Sequence, residues 1–87
     1  MIVDFEEKLL NMIDVRIDNA SDDELFSGGY LRGHISLSAA SCEEDGVNEV
    51  GEVKVRIGQS LKNARSELSP ADQVIVHDLW LELTSQI

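Results

Sequence analysis

The stretch Val53-Lys54-Val55-Arg56-Ile57 decides the fold, because it admits two readings with opposite consequences. Taken alone, it alternates apolar and basic side chains, and its β-branched residues suit a half-buried strand. Taken with its surroundings, it belongs to a longer series: Val50, Val53, Ile57, Leu61 and Ala64. Spacings of three and four residues put that series on one stripe of a helix with 3.6 residues per turn. A lone strand here would have no partner to pair with. The helix reading is therefore preferred, and it covers roughly residues 48–66. Gly51 and Gly58, seven apart, fall on nearly one face of it, each costing about 1 kcal/mol relative to Ala. Their expected use is to let another helix approach closely.

The same spacing recurs on both sides. Towards the C-terminus, Ser69-Pro70 is an N-cap followed by proline at the first helical position, where its missing N–H does no harm. Ala71, Val74, Ile75, Asp78 or Leu79, and Leu83 follow at helical intervals, with Val76, Trp80 and Ile87 widening the apolar arc. Towards the N-terminus, Ile2, Phe5, Leu9, Met12 or Ile13, and Ile17 mark a helix over roughly residues 2–19. Ser21 with Glu24 three residues on is a capping box. Gly28-Gly29 follows so soon that the helix it opens is read as one or two turns ending in a glycine cap. A longer helix then runs from about Tyr30 to Glu44, with Leu31, Ile35, Ser38 and Cys42 on its edge and His34, Leu37 and Ala40 beside them. Glu43-Glu44-Asp45-Gly46 is a turn. The expected fold is all-α: a small antiparallel four-helix bundle with one additional short helix after helix one.

Composition agrees with this and narrows the function. Eighty-seven residues fit a single domain, 1–87, and a 43% hydrophobic fraction supplies one core. Seventeen acidic residues against seven basic ones give a formal net charge of −10. Nucleic acid or anionic lipid binding needs a basic patch, and no basic run exists. Four of the seven cations (Lys54, Arg56, Lys62 and Arg65) do fall close together, where a local basic stripe or an ordinary solvated helix face would account for them. Cys42 is alone, so no internal disulfide forms. The first residues carry carboxylates where a signal peptide carries positive charge, and no apolar run approaches the ~20 residues that span a bilayer. A cytoplasmic location is expected, with no nucleic acid and no membrane as partner.

Two blocks of this chain resemble the YfcL family of small bacterial proteins. One is Ser21-Asp22-Asp23-Glu24-Leu25-Phe26 with Gly29-Tyr30-Leu31-Arg32-Gly33-His34; the other is Leu68-Ser69-Pro70-Ala71-Asp72-Gln73 with Asp78-Leu79-Trp80. The likeness spans almost the whole chain and is least between Ser41 and Val53. It implies a small helical cytoplasmic protein, and it brings no activity, cofactor or site residue with it.

The candidate site is the segment from Asp22 to His34, which gathers Asp22, Asp23, Glu24, Tyr30, Arg32 and His34 within thirteen residues. One reading places Asp22, Asp23 or Glu24 with His34 around a divalent cation. The plainer reading has Ser21 and Glu24 capping, the aspartates complementing the helix dipole, and Arg32 paired with a carboxylate. The spacing matches no established metal motif, so the plainer reading is preferred and no cofactor is expected. His77-Asp78 is a weaker candidate, since adjacent helix residues point about 100° apart. Cys42 lacks any oxyanion-hole motif, and Gly28-Gly29 lacks the strand that precedes a phosphate loop. No coherent catalytic set remains.

The leading expectation is thus a non-enzymatic protein-protein interaction module. Its surface would comprise Tyr30, Arg32, His34, Asp23 and Trp80, and its partner would be an unidentified cytoplasmic protein. The alternative is a small metal- or ligand-binding protein using the acidic and histidine-bearing segment 22–34. Mimicry of nucleic acid would require one continuous acidic face. The apolar arc of the last helix is wide, and any part of it left uncovered would favour a homodimer.

Overall fold

In the computed structural model, which describes residues 2–16 and 20–86, Val53 and Ile57 are fully buried while Val55 between them is 51% exposed. A strand would have put all three on one face, so the pattern belongs to a helix. The described residues form four α-helices: α1 Ile2–Asp14, α2 Asp22–Glu44, α3 Val50–Ala64 and α4 Pro70–Ser85. A 3-10 turn, Arg65–Glu67, extends α3, and no strand occurs among the described residues. The fold is all-α. Its centre is α2, which packs against α1, α3 and α4, whereas α3 and α4 meet each other only sparingly.

Helix α1 buries Ile2, Phe5, Leu9 and Ile13, the stripe that its spacing predicts. It ends sooner than predicted, at Asp14, with a turn closed by hydrogen bonds from Val15 N–H to the Asn11 carbonyl and from Arg16 N–H to the Ile13 carbonyl. Ile17 and the rest of the predicted extension to residue 19 lie outside the described residues.

Helix α2 opens with the predicted capping box. Glu24 N–H donates to Ser21 Oγ at 3.2 Å, and Ser21 N–H donates back to Glu24 Oε1 at 3.4 Å. The additional short helix is not separate, because α2 runs without a break through Gly28, Gly29 and Gly33. Packing accounts for this. Gly28 is buried, and a Cβ placed on it would stand only 3.1 Å from Ile13 Cγ2. The missing side chain lets α1 lie close against α2, which offsets the local cost of glycine in a helix.

Leu31, Ile35, Ser38 and Cys42 are buried as expected, but Leu37, at 66% exposure, and Ala40 face outward. The helix closes on a Schellman motif: Gly46 sits at φ 70°, its N–H donates to the Glu43 carbonyl, and Val47 N–H reaches the Cys42 carbonyl at 2.8 Å. Val47 then turns inward onto the core.

Arg56 of α3 ties that end of α2 down. Its Nη1 donates to Asp45 Oδ2 at 2.8 Å and to Ser41 Oγ at 3.0 Å, and its Nε donates to Glu52 Oε1 at 3.3 Å. A guanidinium there also offsets the carboxylates gathered at the negative end of the α2 dipole. The expected close approach at Gly51 and Gly58 does not occur, since nothing lies within 4 Å of a Cβ at either position.

Ser69 caps α4 by accepting from Asp72 N–H at 3.2 Å, with Pro70 in the first turn. Its buried line is Val76 and Leu83, with Leu79 and Trp80 half-buried. Of the predicted stripe, Leu83 is buried and Leu79 packs on the core, but Ala71 is exposed and Val74 is 59% exposed, while Val76 turns inward. A helix with apolar residues on most of its circumference does not fix its own inward face by spacing alone.

Candidate functional site

Because α2 is continuous, the segment 22–34 is a helix surface and not a gathering turn. Residues two apart on a helix differ by about 200° in direction, so Tyr30 and Arg32 leave opposite sides of it. Arg32 reaches α1: its Nε donates to Asp14 Oδ1 at 3.2 Å and its Nη2 to Asp14 Oδ2 at 3.1 Å. These hydrogen bonds hold the Asp14 carboxyl below its ordinary value. The neighbouring turn pairs Arg16 with Glu82 of α4 at 2.9 Å, and that bond lowers the Glu82 carboxyl likewise. Arg32 and the exposed Asp23 share a depression of about 460 Å³ there, whose two arginines both already hold carboxylates.

Tyr30 and His34 face α3 instead. Their ring centroids are 4.7 Å apart, and Phe26 stacks behind Tyr30 at 5.9 Å, a ladder at intervals of four residues. His34 Nδ1 shares a 2.6 Å hydrogen bond with Ser60 Oγ, and the Tyr30 hydroxyl donates a long one, 3.5 Å, to the Ala64 carbonyl. That carbonyl belongs to the last turn of α3, where helical partners run out. Burial, and then the nearby Glu67 charge, push the Tyr30 phenol above its usual value, so it keeps the proton it donates.

The shared-cation reading does not survive this geometry. Asp23 and His34 stand eleven residues apart on one helix, about 16 Å along its axis. Glu24 is occupied in the capping box. Among the described residues, no three His, Cys, Asp or Glu side chains gather to hold a metal ion. His77 and Asp78 are both exposed, and Cys42 is buried with its thiol free.

Two of the expected residues do come together. Tyr30 and Trp80 line an open groove of about 820 Å³ between α3 and α4. Leu61, Leu68 and Val76 add apolar wall, and Val74 and Leu81 stand on its α4 lip at 59% and 52% exposure. Lys62 and Arg65 stand on the α3 lip, with His77 and Asp78 opposite. Gly58 also lines the groove, and the space beside it stays open. The basic cluster of residues 54–65 is thereby split. Arg56 holds Asp45 and Glu52, Lys54 lies 6.0 Å from the Phe5 ring centre, and only Lys62 and Arg65 of the four reach the groove. Sequence reasoning missed Leu61, Lys62, Val74 and Leu81 as a group. The signal available was the seven-residue interval between Val74 and Leu81 on a helix with more apolar residues than one core face needs.

Comparison with known proteins places the chain. The family model described as YfcL protein matches residues 3–85. The chain belongs to the YfcL family. One YfcL relative, Uncharacterized protein YfcL of Escherichia coli (strain K12), is 46% identical over 88 residues, covering 99% of this chain and 96% of the relative. No solved structure matches. The YfcL match takes in α2, α3 and α4 entire, so every wall of the groove lies within it. Among the described residues, no helix is long and apolar enough to cross a membrane.

Proposed function

We propose that the chain is a non-enzymatic protein-protein interaction module of the cytoplasm, and that it docks its partner in the groove between α3 and α4. One observation carries this reading. The chain's one tryptophan and one tyrosine line a single open apolar groove whose α4 lip leaves Val74 and Leu81 half exposed. Large aromatics in a partly desolvated pocket are the usual anchors of protein recognition. An apolar face left open in so small a domain is otherwise an aggregation hazard. Trp80 and Tyr30 stay in the proposed surface, while Arg32, on the other side of α2, and Asp23, which lines the other depression, leave it. His34, outside the groove lining, packs against the Tyr30 ring.

The test is affinity capture with the wild-type chain, with Val74→Glu plus Leu81→Glu, and with Arg32→Gln. Circular dichroism of all three should show the same helix content. A partner retained by wild type and Arg32→Gln but lost by the groove variant is the expected result. Identical capture by all three would refute docking at this groove.

A further inference from the structure

We infer that the groove accepts a single amphipathic α-helix, about three turns long, with carboxylates on the flank facing α3. This rests on the docking reading above and names the chemistry of the occupant. The walls are two helices whose backbone groups are bonded internally, so no strand edge is offered to an extended peptide. From Pro70 to Leu81 the α4 wall extends about 16 Å at the helical rise, the length of three turns. Val74 and Leu81, seven apart, present two half-exposed apolar side chains along that wall, with Trp80 and Leu61 deeper in the groove. A helix carrying apolar residues at intervals of three and four meets such a row along its length.

Charge selects the flank. Arg16, Arg32 and Arg56 each already hold a carboxylate within 3.3 Å. Lys62 and Arg65 are exposed, three residues apart on the α3 lip, and neither takes part in an ion pair among the described residues. On a chain of net charge −10, these two cations mark the one lip of the groove where an acidic side chain meets attraction. Asp78 stands on the opposite lip and repels acid there, whereas on the α3 side Glu67, in the turn that extends α3, offsets the two cations only in part. A basic α3 flank would set like charges together, which costs affinity and on-rate. Two copies of a chain this acidic also repel over a Debye length, which disfavours a second copy as the occupant.

The experiment is selection from a displayed library of helical peptides against the full chain. Apolar positions are fixed at intervals of three and four, and both flanks vary among Glu, Lys and Gln. Clones are then screened on Val74→Glu and, as a milder control of fold, on Leu81→Gln. Groove-dependent clones are expected to carry Glu on one flank and to shift the emission of Trp80. They should bind Lys62→Glu plus Arg65→Glu about tenfold more weakly, as two attractive pairs become repulsive. Groove-dependent clones with Lys or Gln on both flanks would overturn the acidic flank while leaving docking at the groove intact. Clones indifferent to both groove variants would overturn both readings. A groove-dependent dimer in sedimentation would overturn the helical peptide in favour of a second copy.

Discussion

Ile13 Cγ2 stands 3.1 Å from the point a Cβ on Gly28 would occupy, so α1 leans on α2 where glycine alone fits without displacement. Its neighbour Gly29 has open space in the same helix. Gly28→Leu is therefore expected to lower stability by forcing the two helices apart. Gly29→Ala should raise it by about 0.5–1 kcal/mol, the helix preference of alanine over glycine. Denaturant unfolding of the two variants measures both. A neutral Gly28→Leu would show that α1 does not rest there.

The contrast between these glycines also shows what the sequence could and could not convey. Spacing alone located α1 through Ile2, Phe5, Leu9 and Ile13, and α3 through Val53 and Ile57, because each of those helices has a distinct polar side. Ser21 with Glu24, and Ser69 with Pro70, marked two helix starts through local hydrogen-bonding chemistry. Gly28-Gly29 read as a break because the reason for continuing is a contact with Ile13, fifteen residues earlier in the chain. That misreading also created the candidate site. A turn would have collected Asp23, Tyr30, Arg32 and His34, whereas the helix spreads them along its length and sends Arg32 to the side opposite Tyr30. In α4 the inward face was hidden by a surplus of apolar residues, and the same surplus is what lines the groove.

Val53 and Ile57 of α3 face the core while Val55 faces solvent. Ile57→Ala removes a fully buried side chain and should cost about 2–5 kcal/mol, enough to unfold much of so small a domain. Val55→Ala, half exposed, should change stability by no more than about 0.5 kcal/mol. A strand would have made the two substitutions comparable. Equal losses in thermal or urea melts would therefore contradict the helix.

Acid should weaken the junction of α1 and α2. The Asp14 carboxyl is held below its ordinary value by hydrogen bonds from Arg32, so it binds a proton less readily folded than unfolded. Such a group adds stability that is complete above the ordinary carboxylate range, near pH 4, and is lost as pH falls through the lowered folded value. Asp14→Asn should accordingly melt below wild type near pH 7, with the gap closing as pH falls through the lowered folded value. The gap should be small, because the pair is exposed, and should narrow in high salt. A gap that widened in acid would have the wrong sign for this pairing.

Gly46 holds the end of α2 in a left-handed conformation, with φ at 70°. Gly46→Ala should cost about 1 kcal/mol through strain at Cβ. The effect should appear in the amides of Gly46 and Val47, which bond back to Glu43 and Cys42. Faster hydrogen exchange at those two amides is the readout. Unchanged exchange there would mean the cap is not formed as described.

Cys42, the chain's one cysteine, lies at zero exposure on the face of α2 that the other helices cover. A sulfur so enclosed meets an alkylating reagent only after the neighbouring helices part. Each molecule therefore carries an internal timer: the rate at which this thiol becomes labelled records how often the interior opens, with no dye or tag added to the chain.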